Sequence, residues 1–184
     1  MGEFIFSESD LEDVVLISPK QFSTESGSFE KNYEKSIYES NGITFEITEE
    51  YKIVSDRGVL RGIHFQDPKP QSRLVTVTEG EAMVVVVDLR KDSGQVGKWK
   101  SYLVNKQNKL CLLIPEGFGL GTLTMEDRTV IEVKCSGMYF GENSSGIRYD
   151  DEDLNINWGA EKIDGIHISE KDKKLMSFRE YMGQ

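Results

Sequence analysis

A series of short β-rich segments, separated by glycine or polar turns, limits the fold of this chain more than any other feature. The segments cover residues 73–78, 82–90, 98–104, 109–115 and 129–135. Strands at intervals of about 8–12 residues favour a β-sandwich or barrel. Within the second segment, the apolar run Val84–Val87 indicates a strand buried on both faces. We therefore predict a mainly β fold, one barrel domain over residues 1–184 with a few short peripheral helices.

The two ends of the chain have a different character. An N-terminal arm of about residues 1–45 contains a strand-like segment, 13–19, and a polar segment with helical character, 28–40. A further strand is predicted over 42–50. The pattern of the acidic C-terminal tail, about residues 146–184, is irregular.

Two shorter stretches carry local predictions. Residues 169–182 predict one short helix with Ser169 as its N-cap, because serine side chains commonly accept hydrogen bonds from the first turn of a helix. The PEGFGLG segment, 115–121, predicts a loop between two strands, because proline and glycine are typical of turns.

Charge is distributed unevenly along the chain. The 32 acidic and 22 basic residues give a net charge of −10, which disfavours binding to nucleic acid through a broad basic face. Residues 1–60 carry a net charge of −8 and residues 141–184 a net charge of −4, whereas residues 61–140 carry +2. The basic surplus in the middle predicts a local cationic site within an acidic protein.

Several classes of protein are disfavoured by what the sequence contains. No apolar stretch approaches the ~20 residues of a membrane span, and the acidic start lacks the basic region of a secretory signal. Two cysteines, Cys111 and Cys135, do not make a disulfide framework and suit a reduced, cytoplasmic setting. With two histidines and no CxxC, HExxH, GxGxxG or P-loop motif, we expect neither a metal site nor a cofactor.

The stretch GVLRGIHFQ, residues 58–66, is the most informative for chemistry. It places Arg61, His64 and Gln66 around a bend at Gly62, and His64 stands between two apolar residues. A lone histidine among apolar neighbours is more often structural than catalytic. The remaining motifs of the chain therefore decide how this stretch is interpreted.

Five motifs in order resemble those of the dTDP-4-dehydrorhamnose 3,5-epimerase family of nucleotide-sugar enzymes. They occupy residues 58–66, 72–94, 114–123, 146–158 and 167–172, so the resemblance covers roughly residues 12–172. It implies a cupin-type jelly-roll β-barrel, a homodimer, no metal, and a nucleotide-diphospho-4-keto-sugar as substrate.

The resemblance also implies roles for individual residues. Epimerisation beside a ketone needs a base that removes a carbon-bound proton, a group that stabilises the enolate and an acid that returns the proton. His64 matches the base of the family and Asp172 its carboxylate partner. Arg61 and Arg73 match basic positions that face the diphosphate and the keto oxygen, and in the family the second position is typically lysine.

Two further residues complete the predicted substrate-binding set. Tyr139 matches a tyrosine near the sugar, and Gln66 lies in the same motif as the base. We therefore predict that Arg61, Arg73, Gln66 and Tyr139 bind substrate while His64 and Asp172 act in catalysis.

Three aliphatic residues depart from the family pattern at positions that carry chemistry. Leu120 replaces a second histidine, Val84 replaces the aspartate partner of that histidine, and Val133 replaces the catalytic tyrosine. Loss of both members of the charged pair avoids a buried unpaired charge. These positions predict a reshaped pocket in which water, Cys135 or Tyr139 returns the proton.

The nucleotide-binding pattern of the N-terminal region departs as well. Ser26 and Lys31 stand where the family has arginine and glutamate, and EEYKI (49–53) replaces a polar segment. Recognition of thymidine is therefore an open question at the level of the sequence.

The sequence predicts an epimerase or isomerase of a nucleotide-diphospho-4-keto-6-deoxy-sugar, acting at one carbon or two, in deoxysugar or surface-polysaccharide biosynthesis. Two alternatives stay open. One is a catalytically inactive relative that binds a sugar nucleotide, which the three aliphatic replacements would favour. The other is a cupin isomerase with a different small-molecule substrate.

Overall fold

Short strands form most of the regular structure in the computed structural model, which describes residues 3–183. The strands in this range are β1 Ile5–Glu8, β2 Val15–Ser18, β3 Lys20–Thr24, β4 Gly27–Lys31, β5 Glu49–Ser55, β6 Val59–Gln66, β7 Arg73–Glu79, β8 Glu81–Asp88, β9 Trp99–Asn105, β10 Cys111–Ile114, β11 Phe118–Thr124, β12 Thr129–Cys135, β13 Ser144–Gly146 and β14 His167–Ile168. The helices are α1 Lys35–Ser40 and α2 Phe178–Met182, with 3-10 turns at Gly141–Asn143, Ala160–Lys162 and Asp172–Lys174. The predicted mainly β fold with short helices is confirmed.

Two sheets and one separate hairpin contain these strands. The first sheet has the order β1-β2-β10-β7-β12-β5, and the second has the order β13-β6-β11-β8-β9. The pairs within both sheets are antiparallel, except that β14 joins the second sheet parallel to β6. The hairpin β3-β4 stands outside both sheets.

The main core lies between the two sheets. Val75 and Val133 contribute from the first sheet, and Val84 and Val86 from the second, all without solvent exposure. Because successive side chains of a strand point to opposite faces, the intervening Val85 and Val87 leave this core for the outer face of the second sheet. The prediction that 84–87 is buried on both faces is therefore confirmed.

The arm and the tail cover the outer faces of the sheets. Tyr38 and Phe45 from the arm pack on Leu74 and Cys111 of the first sheet. In the same way, Leu154, Trp158 and Tyr181 from the tail pack on the outer face of the second sheet. Each sheet is consequently covered in part on the side away from the main core.

The predicted strands are confirmed at most of their positions, but the glycine-rich segment 115–121 was misassigned as a loop. Residues from Phe118 onward form β11, which lies between β6 and β8. The glycines serve close packing rather than a turn. A Cβ at Gly119 would lie 2.3 Å from Cγ2 of Ile63, so only glycine allows the neighbouring strand this approach.

Two predictions in the arm were wrong in extent. The helix in segment 28–40 is confined to Lys35–Ser40, because residues up to Lys31 pair as the second strand of the hairpin. The strand predicted over 42–50 begins only at Glu49, where pairing with Cys135 becomes available.

The helix predicted over 169–182 was also wrong. The segment divides into the 3-10 turn Asp172–Lys174 and the helix Phe178–Met182. Ser177, not Ser169, caps that helix, and its side chain and that of Glu180 form a reciprocal capping box. The break allows Asp172 of the turn to bind the backbone of β6 at Gly62.

Neither helix in the described part of the chain has the length and apolar content needed to cross a membrane.

Candidate active site

A cavity of about 550 Å³ opens between the two sheets at one end of the main core. This volume falls within the range of small-molecule sites. The side chains around it come from both sheets and from the loop after β12: Glu49, Tyr51, Ile53, Arg61, His64, Phe65, Gln66, Gln71, Arg73, Leu120, Thr122, Tyr139 and Ser144. Five of the six residues predicted for catalysis or substrate binding line this cavity. They are Arg61, His64, Gln66, Arg73 and Tyr139. All of them except Gln66 are charged or titratable.

His64 faces the inside of the sandwich. Its strand partner in the antiparallel pairing is Leu120, and directly opposed residues of such a pair point to the same face. Leu120 packs against the main core, so His64 also faces the space between the sheets. The histidine is only half-buried, because it lines the cavity rather than the closed part of the core.

Asp172 holds the imidazole of His64 in place. Its Oδ1 lies 3.2 Å from Nε2 of His64, and its Oδ2 accepts a hydrogen bond of 3.1 Å from the backbone N–H of Gly62. Both carboxylate oxygens are thus used, and the side chain is almost fully buried. With the proton of neutral imidazole on Nε2, the lone pair is on Nδ1, which is then the atom able to accept a proton.

Strand β14 brings Asp172 to a histidine more than one hundred residues earlier in the chain. His167 and Ile168 pair in parallel with Val59 and Leu60 at the start of β6. The following turn begins at Asp172, whose N–H donates to Oγ of Ser169 at 3.0 Å. The tail therefore brings the predicted catalytic pair together, and Ser169 accepts a hydrogen bond from Asp172 instead of capping the predicted helix.

The environment keeps His64 neutral at ordinary pH. Burial lowers its pKa below the usual 6.5, and Lys171 and Arg73 act in the same direction. Asp172 opposes this shift by its charge and its hydrogen bond. A neutral imidazole oriented by a carboxylate is the form that a general base needs.

We expect the Asp172→Asn variant to lower kcat by about 10²–10⁴-fold, because the amide cannot stabilise the imidazolium formed during proton abstraction. The acid limb of kcat/KM, which lies below pH 6.5 in the wild type, should move to still lower pH, since the group that raises the pKa of His64 is lost. Rate profiles between pH 4.5 and 8 measure both effects.

Glu170→Gln is the matched control for that variant. Glu170 is an exposed carboxylate two residues away that pairs with Lys173. Its substitution should leave the rate and the acid limb unchanged. An Asp172→Asn enzyme with a wild-type pH profile would show that the carboxylate does not act on His64.

Gly62 fixes the backbone between Arg61 and His64. Its φ of +100° lies in the region that favours glycine, and a Cβ here would lie 2.6 Å from the carbonyl oxygen of Leu120. This residue also donates its N–H to Asp172. The glycine therefore permits the close contact of β6 with β11 and supports the orientation of the His64–Asp172 pair.

We expect Gly62→Ala to reduce the free energy of unfolding by about 1–3 kcal/mol, because alanine is strained at this φ and its methyl group collides with β11. Thermal unfolding should show a fall of several degrees in Tm, together with lower activity. Gly94→Ala is the control, since a Cβ at Gly94 meets nothing within 4 Å. Equal Tm values for the two variants would contradict this account.

Two guanidinium groups make the cavity cationic. Arg73 is buried and donates from Nη1 to the carbonyl oxygen of His64 at 3.3 Å, while Arg61 donates from Nη2 to Oγ of Ser55 at 3.3 Å. Among residues 3–183, no carboxylate forms an ion pair with either group. A buried cation without a counter-ion is costly, so this wall is suited to an anionic or strongly polar ligand.

Gln66 binds the backbone on both sides of Tyr139. The buried amide of Gln66 accepts a hydrogen bond of 2.7 Å from the N–H of Phe140 and donates to the carbonyl oxygens of Lys69 and Met138. Gln66 thus fixes the loop that carries Tyr139. The N–H of Tyr139 is itself bound to Oε1 of Glu49 at 2.8 Å.

The three predicted replacement positions lie at different depths. Leu120 lines the cavity, whereas Val84 and Val133 are fully buried in the main core beneath it. Cys135, one of the predicted proton donors, is also buried in that cluster, and desolvation raises the pKa of its thiol. Aliphatic side chains therefore close the floor of the site.

Tyr51 and Glu49 line the cavity but were not predicted as site residues. They belong to EEYKI, residues 49–53, which in the sequence stands out only as a departure from the polar segment of the family. The signal that could have identified Tyr51 is its period-two spacing with Ile53, a residue that packs against the main core. The pairing of β5 with β12, which brings both to the cavity, is not visible in the sequence.

Within the described residues, no group of three or more histidine, cysteine, aspartate or glutamate side chains is arranged to hold a metal ion.

Comparison with known sequences gives one family over nearly the whole chain. The sequence model of dTDP-4-dehydrorhamnose 3,5-epimerase matches residues 8–180. The enzyme of that name from Methanothermobacter thermautotrophicus is 39% identical over 180 residues, which cover 98% of this chain and 97% of the relative. The Escherichia coli enzyme of the same name is 33% identical, with coverages of 94% and 93%.

Solved structures agree with this result. The Bacillus anthracis dTDP-4-dehydrorhamnose 3,5-epimerase, with TDP and PPi bound, superposes with a TM-score of 0.90 at 32% identity and covers 95% of this chain and 99% of its own. A Legionella pneumophila 3,5-epimerase in complex with dTDP-4-keto-L-rhamnose gives a TM-score of 0.91 at 29% identity, with coverages of 96% and 94%. These neighbours confirm the predicted cupin-type jelly-roll fold.

Proposed function

This chain belongs to the dTDP-4-dehydrorhamnose 3,5-epimerase family, and we propose that it inverts a carbon beside the ketone of a dTDP-4-keto-6-deoxy-sugar. The observation that carries the proposal is the His64–Asp172 pair, which opens onto a cavity lined by two arginines without carboxylate partners. Base, cationic wall and cavity size suit an anionic sugar nucleotide.

The first step is proton abstraction. A hydrogen on a carbon next to the ketone is acidic because the electron pair left behind is delocalised onto the keto oxygen. Nδ1 of His64 takes this proton, and Asp172 stabilises the resulting imidazolium through Nε2. Since the pKa of His64 is lowered, the free base is the dominant form at neutral pH.

The cationic wall supports the negative charge that develops. Arg73 lies beside His64, bound to its carbonyl oxygen, and is the cation placed to stabilise the enolate oxygen. Arg61, which is more exposed, is placed to bind the diphosphate. Gln66 and Tyr139 hold the rim where the sugar enters.

The thymidine diphosphate is assigned because two structural neighbours were solved with TDP or a dTDP-sugar bound. The comparisons favour the epimerase over an inactive binding relative and over a cupin isomerase of another substrate class. Inversion at C3, at C5 or at both carbons is compatible with one base. This proposal places the enzyme in deoxysugar biosynthesis in the cytoplasm.

The direct test is conversion of dTDP-4-keto-6-deoxyglucose followed by NMR of the sugar protons. We expect new resonances whose coupling constants report an inverted C3, C5 or both. The UDP-linked analogue tests whether the enzyme distinguishes a thymidine nucleotide from a uridine nucleotide. An unchanged spectrum with every nucleotide, from protein that melts cooperatively, would overturn the proposed function.

We further propose that the protein is a homodimer. The hairpin β3-β4 projects from both sheets and carries Phe22 and Phe29, whose rings stack 4.6 Å apart while each remains at least 40% exposed. An exposed aromatic pair of this kind suits burial against a second subunit. Light scattering should give twice the mass of 20.9 kDa for the wild type and less for Phe22→Ser/Phe29→Ser.

A further inference from the structure

Two rows of side chains on the first sheet face the space between the sheets. Arg73, Cys135 and Glu49 are directly registered across β7, β12 and β5. The next row in the same direction consists of Val75, Val133 and Tyr51. Since residues two apart on a strand share a face, both rows point between the sheets.

Tyr51 is the titratable group of the second row. Val75 and Val133 are fully buried aliphatic residues, whereas Tyr51 lies at the open end of the row, 43% exposed, and lines the cavity. His64 lines the same cavity from the opposite sheet. A ligand between the sheets would therefore have His64 on one side and Tyr51 on the other.

Inversion requires a proton donor on the side opposite the base, because a proton returned by the base restores the original configuration. The cavity offers few candidates. Cys135 is buried in the main core and is not part of the lining. Glu49 acts as a hydrogen-bond acceptor for the N–H of Tyr139, and Tyr139 lies at the rim, 55% exposed.

We propose that the phenol of Tyr51 is the catalytic acid that delivers a proton to the face of the substrate opposite His64. The role rests on the proposed function above. Tyr51 stands directly across the β5–β12 pairing from Val133, the position where the resemblance led us to expect a tyrosine. The acid is thus supplied from the neighbouring strand, on the same face of the sheet.

The electrostatic environment keeps this phenol protonated. Burial of part of the side chain raises the pKa of Tyr51 above its usual value, although the residue remains 43% exposed. Cys135 and Glu49 act in the same direction, and Arg73 opposes them. Arg73, the group assigned to the enolate oxygen, lines the same cavity as Tyr51.

The proton balance closes without a further reactant. Nδ1 of His64 takes the carbon-bound proton, and the electron pair of the C–H bond becomes the C=C bond of an enolate. The enolate then re-forms the ketone while its carbon takes the proton from the hydroxyl of Tyr51. Imidazolium and phenolate remain, and solvent carries one proton from His64 to Tyr51 to restore the enzyme.

The test separates proton abstraction from inversion by following the substrate in deuterated water. Tyr51→Phe keeps His64, so deuterium should still enter recovered substrate with retained configuration, while inversion falls. We expect the ratio of exchange to inversion to rise by about 10²-fold. Tyr139→Phe is the matched comparison, because loss of a substrate contact should lower exchange and inversion together and leave their ratio unchanged.

The outcomes distinguish this proposal from the proposed function. Wild-type inversion with an unchanged ratio in Tyr51→Phe would overturn the role of Tyr51 and leave the epimerase intact. A raised ratio in Tyr139→Phe alone would assign the acid to Tyr139 instead. Absence of both exchange and inversion in the wild type would overturn the proposed function and this inference together.

Discussion

His64→Ala should lower kcat by about 10²–10⁴-fold and abolish exchange at the carbons beside the ketone. The side chain is the base that we propose; it lines the cavity and its imidazole contacts Asp172. The loss should appear in kcat more than in KM, because the imidazole acts on the transition state rather than on the diphosphate.

His167→Ala is the matched control for this variant. It removes the second of the two histidines, one whose side chain is exposed and whose contribution to β14 is made by its backbone. Its activity should stay near that of the wild type. Comparable losses in both variants would indicate a general effect on folding. Full activity in His64→Ala would show that His64 is not the base.

Arg73→Met is expected to lower kcat by about 10²–10³-fold, the usual cost of removing one preorganised group from a developing oxyanion. The guanidinium is buried beside the base, and methionine keeps much of the volume while removing the charge. Steady-state kinetics should therefore show a large fall in kcat.

Arg73→Lys separates charge from shape at the same position. Lysine keeps the charge and is the residue that the family resemblance led us to expect there. We expect it to recover most of the activity, although the donation from Nη1 to the carbonyl oxygen of His64 is lost. Equal losses in the lysine and methionine variants would show that Arg73 acts through the position of β6 and not through its charge.

The strands of the core were predictable because their side-chain patterns report burial. In β12, Ile131, Val133 and Cys135 alternate with polar residues, and these three side chains are buried in the main core. The segment 115–121 was misassigned because glycine serves both turns and close packing. Its approach to Ile63 depends on the neighbouring strand, which local sequence does not encode.

Residues of the site could be predicted only where they belong to a recognisable sequence motif. His64 and Asp172 were paired by resemblance, and the structure shows the physical reason in the parallel contact of β14 with β6. Tyr51 was missed because its place depends on the register between β5 and β12. This register is set by tertiary packing. Composition and spacing therefore cannot show that Tyr51 on β5 stands opposite Val133 on β12.

We propose that His64 removes the proton from a carbon beside the ketone and so allows its inversion. NMR and mass spectrometry of the product formed from dTDP-4-keto-6-deoxyglucose in deuterated water test this role. We expect one deuterium at each inverted carbon for the wild type and none for His64→Ala. An inverted product that retains its original hydrogen, or no deuterium uptake with any nucleotide-linked 4-keto-6-deoxyhexose, would contradict it.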